Sequence, residues 1–593
     1  MMYSAATGQR MGKRAEIDPS YCRSLAAELR LPEALVAVLL RRGHDDKAGI
    51  ESFLRPNLTD LPDPDLMLGM NLAVELIASA LGSRQPIVVY ADYDVDGLSA
   101  GAVLYKFLKQ LDCKQLHYLL PHRSEDGYGV HAHLLAELQK KLGPTTRPLL
   151  ITVDCGIGDH QALAEAREMG YTVIVTDHHR PAATLPPAAA ILNPHQGGCP
   201  FPCKNLAGVG VAFYLLMGLR RHLAGEGFFG SGEPPNLKEY LDLVALGTVA
   251  DMVALRGANR ILVRAGLEVL QGCSRPGLAA LTATAGINPE GAAKGSTKRS
   301  LYPEDISFVL APRLNAAGRV ATPETAFRLL ITDDPSEALA LAAELEDLNR
   351  WRRELSDQVY QQAKEQVVAS GQQNNHVLVL ADKDWHPGVL GIAATRLQQD
   401  FNRPVLLLGQ ASLEMLKGSG RSIEGLDLLA AVDGCRDLLL GYGGHAAALG
   451  VSLHPDRLAD FRTMLNNEVG RQLAALETTP AISVDWYFTD GRIDAGLTGN
   501  YHLLEPFGPG NPEPLFQVRG ALSQAGAVGR DQNHLRFRWQ QKDLNLPGIA
   551  FGYGNSLGHQ NPGPVELIFA LRRNIYQGRV SWQLQAKSIK KAI

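Results

Sequence analysis

Carboxylates and imidazoles recur in this chain directly behind apolar runs, a pattern suited to holding divalent cations. Asp92-Tyr93-Asp94-Val95-Asp96-Gly97 follows Pro86-Ile87-Val88-Val89-Tyr90, and Asp154-Cys155-Gly156 follows Leu149-Leu150-Ile151-Thr152-Val153. Asp177-His178-His179 follows Tyr171-Thr172-Val173-Ile174-Val175, and Asp251 comes shortly after Leu243-Val244-Ala245-Leu246. So many like charges in one crevice cannot all stay ionised without cations, so convergence of these segments predicts bound divalent metal. Carboxylate oxygens mixed with imidazole nitrogens suit manganese, with magnesium the oxygen-preferring alternative.

The elements that must position these groups are legible in part. The runs before Asp92, Asp154 and Asp177 read as buried strands of a parallel sheet, where ligands gather at the carboxyl ends. The run before Asp251 is ambiguous between strand and helix. In an extended chain Asp92, Asp94 and Asp96 would share one face, with Gly97 allowing a close turn into the next helix. Helical patterns at Ser99 to Leu111, His133 to Leu142, Ile157 to Met169 and Gly210 to Leu223 alternate with the strands, which is the signature of an α/β sheet with crossover helices. Before them, Ile17 to Ser83 reads as helical.

Beyond them, Glu226 to Asn236 reads as a Gly/Pro-rich loop and Leu278 to Thr297 as an insertion or short helical pair. Pro335 to Ser370 predicts one long helix, with Pro at its start and Gly371 at its end. A second α/β unit follows, with strands at His376 to Leu380 and Pro404 to Leu408 and shorter ones near Glu414 to Gly418 and Gly450 to Leu453. Ala481 to Ile593 alternates like a small β-barrel, as in His534 to Trp539, Val565 to Ala570 and Val580 to Gln585. The expected divisions are 1–84, 85–255, 256–372, 373–475 and 478–593.

The whole-chain figures set bounds. At 593 residues, two to four cores are expected. Residues are 45% hydrophobic and 20% charged, and no apolar stretch approaches the roughly 18–20 residues of a membrane span. The start lacks the apolar core of a secretion signal, and Met11 is an alternative first residue. Seven scattered cysteines suggest reduced thiols in a cytoplasmic protein. A net charge of −4 argues against a surface coated for duplex binding but leaves room for a local basic channel.

Several segments suit anions. Gly418-Ser419-Gly420-Arg421-Ser422 reads as a loop offering amides, hydroxyls and a guanidinium whose planar fork pairs with two phosphate oxygens. Gly443-Gly444-His445 lets backbone approach an anion, although a lone His near glycines is usually structural. Arg313 and Arg319 flank a small-residue turn, and Arg123 precedes Gly127-Tyr128-Gly129. Arg350-Trp351-Arg352-Arg353 is at least as well read as a solvated helix face. In the barrel, Arg536, Arg538, Trp539, Arg572, Arg573 and Trp582 suit sequence-independent binding of single strands, with half the aromatics expected to fill the core. His195, Cys199 and Cys203 have zinc-like spacing without a fourth ligand. Gly208-Val209-Gly210 fits helix packing better than a nucleotide fingerprint.

DYDVDG, DCG and DHH in this order resemble the DHH phosphoesterase superfamily. Segments 313–319, 385–389, 418–422, 443–445 and 506–511 sharpen this to a resemblance to its bacterial family of single-strand-specific 5′-to-3′ DNA exonucleases, extending from about Ile87 onward. The resemblance implies a multidomain α/β fold: a parallel-sheet DHH domain, a long connecting helix, a DHH-associated α/β domain and a C-terminal OB-like β-barrel. It also implies two ions of manganese or magnesium. Asp94 and Asp154 would hold one; Asp96, Asp154, His178 and Asp251 would hold the other. Where many relatives carry a His ahead of the first Asp-x-Asp, this chain has Asp92, which either binds metal or supports the ligands. Asp177 would orient the imidazoles, and His179 would face the scissile phosphate or complete a coordination sphere. Ser419, Arg421 and His445 would bind the 5′-terminal phosphate, and Arg123, Arg313 and Arg319 the backbone.

The implied activity is release of 5′-mononucleotides from single-stranded DNA in recombination and mismatch repair, by a cytoplasmic monomer working with a helicase and a single-strand-binding protein and with no membrane. Two rivals stand beside it. One is a DHH phosphoesterase for pyrophosphate, short oligonucleotides or a cyclic dinucleotide, which would need neither the long helix nor the barrel. The other is a non-catalytic scaffold for single-stranded DNA, which should have lost metal ligands that are all present here.

Overall fold

The computed structural model describes residues 17–123, 125–287, 300–475, 482–529, 531–541, 544–554, 563–576 and 579–592. The expected insertion or helical pair at Leu278 to Thr297 falls partly outside them; its described part contains a helix, Pro276–Thr284.

Five parallel strands form the first sheet: β1 Ile87–Ala91, β2 Leu116–Leu119, β3 Leu149–Val153, β4 Thr172–Thr176 and β5 Ala190–Leu192, in the order β2-β1-β3-β4-β5. Every residue of β1 and β3 is buried, because helices cover both faces and leave no alternating polar positions. This order reverses direction between β1 and β3, and open α/β sheets bind ligands at such a switch point, beyond the strands' carboxyl ends. Asp92 to Asp96 leave β1 there, and Asp154 leaves β3.

The run ahead of Asp251 is helical, Leu241–Ala250, with Asp251 at its C-cap. It is buried between the helices Val95–Gln110, Gly208–Gly225 and Gly257–Gln271, with its one charged residue, Asp242, paired with Arg275. An all-apolar run as short as Leu243 to Leu246 has no period that distinguishes strand from helix. The extended reading of Asp92, Asp94 and Asp96 also fails. Asp94 is the N-cap of the helix Val95–Gln110 and Asp96 lies in its first turn, so the three carboxylates fan out around a helix start.

The long helix spans Pro335–Ala369, capped by Asp334 at one end and followed by Gly371 at a φ of 69°. It reaches the second sheet, where β6 Leu378–Asp382, β7 Val405–Ser412, β8 Met415–Arg421, β9 Gly441–Gly444 and β10 Ala448–Leu453 are ordered β6-β7-β8-β10-β9. The expected Gly/Ser loop 418–421 is therefore strand β8, paired on both sides by β7 and β10. Its glycines are packing residues: a Cβ on Gly418 would lie 2.8 Å from the Leu407 carbonyl oxygen. Arg313 and Arg319 likewise lie on a helix, Ala311–Val320, rather than beside a turn.

The last unit contains β11 Trp486–Phe488, β12 Phe516–Val528, β13 His534–Gln541, β14 Leu544–Ala550, β15 Pro564–Tyr576 and β16 Arg579–Lys591. Pairing of β12 with β15 closes the ring β12-β13-β14-β16-β15 into a five-stranded barrel, and β11 adds to β12 outside it. The N-terminal helices Pro19–Leu29, Glu33–Arg41 and Lys47–Leu54 share one apolar core with this barrel, which includes Leu35, Val36 and Phe53 together with Phe516 and Phe569. Arg260 ties the units together. It is 3% exposed and donates to the carbonyls of Phe53, Leu503, Leu504, Glu505 and Pro506. Among the described residues no single helix is long and apolar enough to cross a membrane.

Candidate metal centre and anion pocket

The carboxyl ends of β1, β3 and β4 and the end of the helix Leu241–Ala250 converge on one buried cluster. Asp92, Asp94 and Asp154 can offer ligand atoms within 4.8 Å of one another, and so can Asp96, His178 and Asp251, and Asp154, His178 and His179. His178 Nε2 lies 3.2 Å from Asp154 Oδ1 and 3.7 Å from Asp251 Oδ2. These three atoms and Asp92 Oδ1 are buried with no hydrogen-bond partner. Buried acceptors aimed at one another without donors are costly, and a divalent cation is the group that would satisfy them together.

Charge states agree. Burial, then the neighbouring carboxylates, raises Asp92 and Asp154 well above the ordinary aspartate range and takes Asp251 to about 9. Asp96 rises only to about 7, because the backbone amides of Gly208 and Val209 donate to its two oxygens at 2.7 and 2.9 Å. Those amides open the helix Gly208–Gly225, so Asp96 takes the anion place at a helix N-terminus. The Gly208 pair is thus not plain helix packing: a Cβ at Gly208 would meet Asp154 Oδ1 at 2.4 Å. Asp154 itself has a φ of 62°, a strained value for a non-glycine residue at the tip of β3.

Asp177 does not join the ligand groups. Fully buried, it accepts from the amides of His178, His179 and Ile157 and from His179 Nδ1 at 2.8 Å. Burial alone would raise it, but its bond with His179 and that imidazole's charge hold it below the usual range. The two histidines part company. Burial pushes His178 down to about 4, so its ring is neutral and free to ligate. Burial also lowers His179, but Asp177 outweighs it and takes the ring up to about 9. Tyr128, half exposed, is not a core residue; its hydroxyl lies 3.1 Å from His179 Nδ1 and bonds the Asp154 carbonyl.

A second concavity, about 380 Å³, opens between the first and second α/β units. Arg123, Arg319, Lys417, Ser419 and Arg421 line it together with Gly391 and the Gly443-Gly444 backbone. Arg421 bonds Ser419 Oγ at 3.0 Å and the Gly420 carbonyl at 2.7 Å, so its fork is oriented. Gly391 leaves room for it, since a Cβ there would lie 2.6 Å from an Arg421 terminal nitrogen. Burial and the charges of Arg123, Arg352 and Arg421 push Arg319 down to about 9, still cationic at neutral pH. Cations held this close call for an anion. Arg123 also stacks over Tyr93, 5.1 Å from the ring centre, which links the pocket to the acidic loop after β1.

Other expected contacts lie elsewhere. Arg313 is engaged by Glu346 at 2.6 Å and by the Val309 carbonyl. His445 is exposed beside Gly444 and does not line the cavity. Arg350 and Arg353 pair with Asp347 and Glu346, whereas Arg352 turns inward beside Arg313. In the barrel Trp539 is a core residue, Trp582 packs on Tyr501, and Arg572 and Arg573 pair with Glu513 and Glu505. Arg536 faces outward and Arg538 bonds Asn545. The thiols of Cys199 and Cys203 accept from different backbone amides, of Leu68 and Ala258, and among the described residues His195 joins no ligand group with them.

The sequence matches three family models: the DHH family, N-terminal domain, over residues 86–248; the DHHA1 domain over 374–471; and the RecJ OB domain over 484–588. It is 38% identical over 578 residues to the single-stranded-DNA-specific exonuclease RecJ of Dickeya dadantii, covering 95% of this chain and 97% of that one. The Escherichia coli RecJ is 37% identical, with 87% and 89% covered. The crystal structure of Thermus thermophilus RecJ in complex with Mn²⁺ superposes with a TM-score of 0.79 at 31% identity, covering 98% of this chain and 79% of that one. A Mg²⁺ complex of the same protein gives 0.73 at 29% identity.

Proposed function

Since the chain belongs to the RecJ family, we propose that it shortens single-stranded DNA from the 5′ end, releasing 5′-mononucleotides by manganese- or magnesium-dependent hydrolysis. The observation that carries this reading is the convergence of four orphaned buried atoms, from Asp92, Asp154, His178 and Asp251, beside a pocket lined with arginines.

Asp94 and Asp154 hold one ion in this reading, and Asp96, Asp154, His178 and Asp251 the other. Asp92 joins the first pair as a ligand, because it offers a ligand atom within 4.8 Å of theirs and carries a buried oxygen without a hydrogen-bond partner. Bound there, the pair supplies an activated water and stabilises charge on the leaving oxygen. The residues themselves do the positioning. Asp177 fixes the His179 ring through Nδ1 and the His178 backbone through its amide, and His179 donates to an oxygen of the scissile phosphate. Arg421, Ser419 and Arg319 grip the terminal phosphate, with Arg123 at the pocket's edge. A strand anchored by its first phosphate presents its next linkage to the carboxylates, which makes the enzyme an exonuclease and fixes its direction.

The arginine grip reads only phosphate, so cleavage is independent of sequence. Such an enzyme needs unwound DNA, which suits work beside a helicase and a single-strand-binding protein in recombination and repair; in this reading it acts in the cytoplasm as a monomer. The test is degradation of 5′-labelled single-stranded, duplex and RNA oligomers with manganese, magnesium or chelator. Stepwise loss from the 5′ end of single-stranded DNA, abolished by chelator and by Asp154→Ala, is expected. Equal cleavage of duplex, or an active Asp154→Ala enzyme, would sink the reading.

A further inference from the structure

The function proposed above uses the phosphates of the strand and leaves its bases unaccounted for. Directly beyond Asp251 lies a cavity of about 560 Å³, within the range of about 300–1,000 Å³ usual for small-ligand sites. Its wall includes Met252, Phe308, Asn315, Arg319, Ile392 and Phe507. Phe308 is 77% exposed and Met252 is 58% exposed, which is unusual for two large apolar side chains facing one concavity. Neither is there by default of local structure. Phe308 rides on a π-helical stretch, Ile306–Leu310, that runs into the helix Ala311–Val320. Such wide turns are rare and concentrate at functional sites. Met252 is thrust outward by a left-handed φ of 63° in the residue after Asp251.

Arg319 lines both this cavity and the arginine pocket, so the two are continuous across one guanidinium. From there the cavity runs past Met252 toward Phe507 and Arg572 of the C-terminal unit. Glu304 and Glu513 also face it. Arg572 pairs with Glu513 at 2.6 Å, which offsets part of the negative charge that an approaching strand would meet.

We infer that this cavity takes nucleobases of the substrate strand on the 3′ side of the cut, with Phe308 as their stacking platform and Met252 as an adaptable second wall. The inference rests on the exonuclease reading for the identity of the strand. With the terminal phosphate held between Arg421 and Arg319, the strand leaves the carboxylates past Met252, and its bases meet the apolar wall just described. Stacking suits the task, because every base has a π-face and none is selected. The thioether of Met252 accommodates purine and pyrimidine alike.

An abasic residue moved one position at a time through the second to sixth nucleotides tests this, with kcat/KM compared between wild type and Phe308→Ala. Because Phe308 is largely exposed, its truncation should leave the fold intact. Wild type should lose about tenfold at one or two adjacent positions, the size of one lost stacking contact. Phe308→Ala should be about tenfold slower on intact DNA and indifferent to the abasic residue at those positions, and Phe308→Tyr should behave as wild type. The same positional penalty in Phe308→Ala as in wild type, or none in wild type, overturns the inference. A second readout does not depend on cleavage: 2-aminopurine at those positions, bound to Asp154→Ala protein, should change fluorescence with Phe308 present and not with Phe308→Ala. Failure of wild type to degrade single strands would overturn the exonuclease reading, whereas loss of the fluorescence difference would overturn the assignment of the cavity.

Discussion

Gly208 and Asp154 approach so closely that a methyl group on the glycine would lie 2.4 Å from the aspartate Oδ1. The glycine is not required here for its backbone angles. It keeps the start of one helix open so that its amides reach Asp96 while Asp154 stays free for metal.

Gly208→Ala should therefore weaken manganese binding without removing a ligand. A loss of about 10- to 100-fold in affinity, the usual cost of disturbing a ligand's support, is expected by calorimetry. The far-UV circular dichroism should stay that of wild type. Unchanged metal affinity would show that the helix start gives way without cost.

Asp154→Asn should separate stability from activity. The wild-type carboxyl is buried among Asp96, Asp94, Asp92 and Asp251, all of its own sign. Removing its charge should raise the melting temperature of the chelator-treated protein by a few degrees and abolish nuclease activity. Adding manganese should then stabilise wild type and leave the variant where it was. A lower melting temperature for the metal-free variant would contradict the like-charge account.

The metal-free protein should become less stable as the pH rises above about 6.5. A carboxyl whose folded pKa is raised makes the folded chain bind more protons than the unfolded one, so stability falls with pH. Asp96, at about 7, and Asp251, at about 9, act this way. His179 acts in the same direction: its protonated, Asp177-bound form stabilises the fold and is lost as pH rises through about 9. His178 opposes them only between about 4 and its ordinary 6.5, and is neutral in both states above that. Manganese should flatten the profile and release protons on binding, measurable by titration in buffers of different ionisation enthalpy. A metal-free melting temperature rising from pH 7 to 9 would refute this.

Arg421→Lys should erase discrimination between 5′-phosphorylated and 5′-hydroxyl strands. The guanidinium is already aimed by Ser419 and the Gly420 carbonyl, and an ammonium cannot reproduce its fork. Losing a buried charge-assisted contact costs about 2 kcal/mol or more, so kcat/KM on the phosphorylated strand should fall by about 30-fold or more. The hydroxyl-ended strand should be cut at nearly its wild-type rate. Equal loss on both substrates would assign Arg421 a structural role.

The sequence by itself determined the chemistry. Strands β1, β3 and β4 are continuous apolar runs, legible because a strand covered on both faces leaves no polar position, and the acidic residues stand directly behind them. The long helix was equally plain from its Pro start and Gly end. What only the tertiary structure decided is which groups meet. Asp251 comes after a run, Leu243 to Leu246, too short and too uniformly apolar to show a period. The Gly-rich segment ending at Arg421 is a strand because β7 and β10 pair with it from both sides, which no local signal encodes. Gly208 supports Asp96 across 112 residues of sequence. Arg313, whose type suggested a contact with the strand, also pairs with Glu346, and Phe308 is exposed on a wide helical turn. Residue type and local pattern fix what a group can do, while its partners are chosen by contacts between segments far apart in the chain.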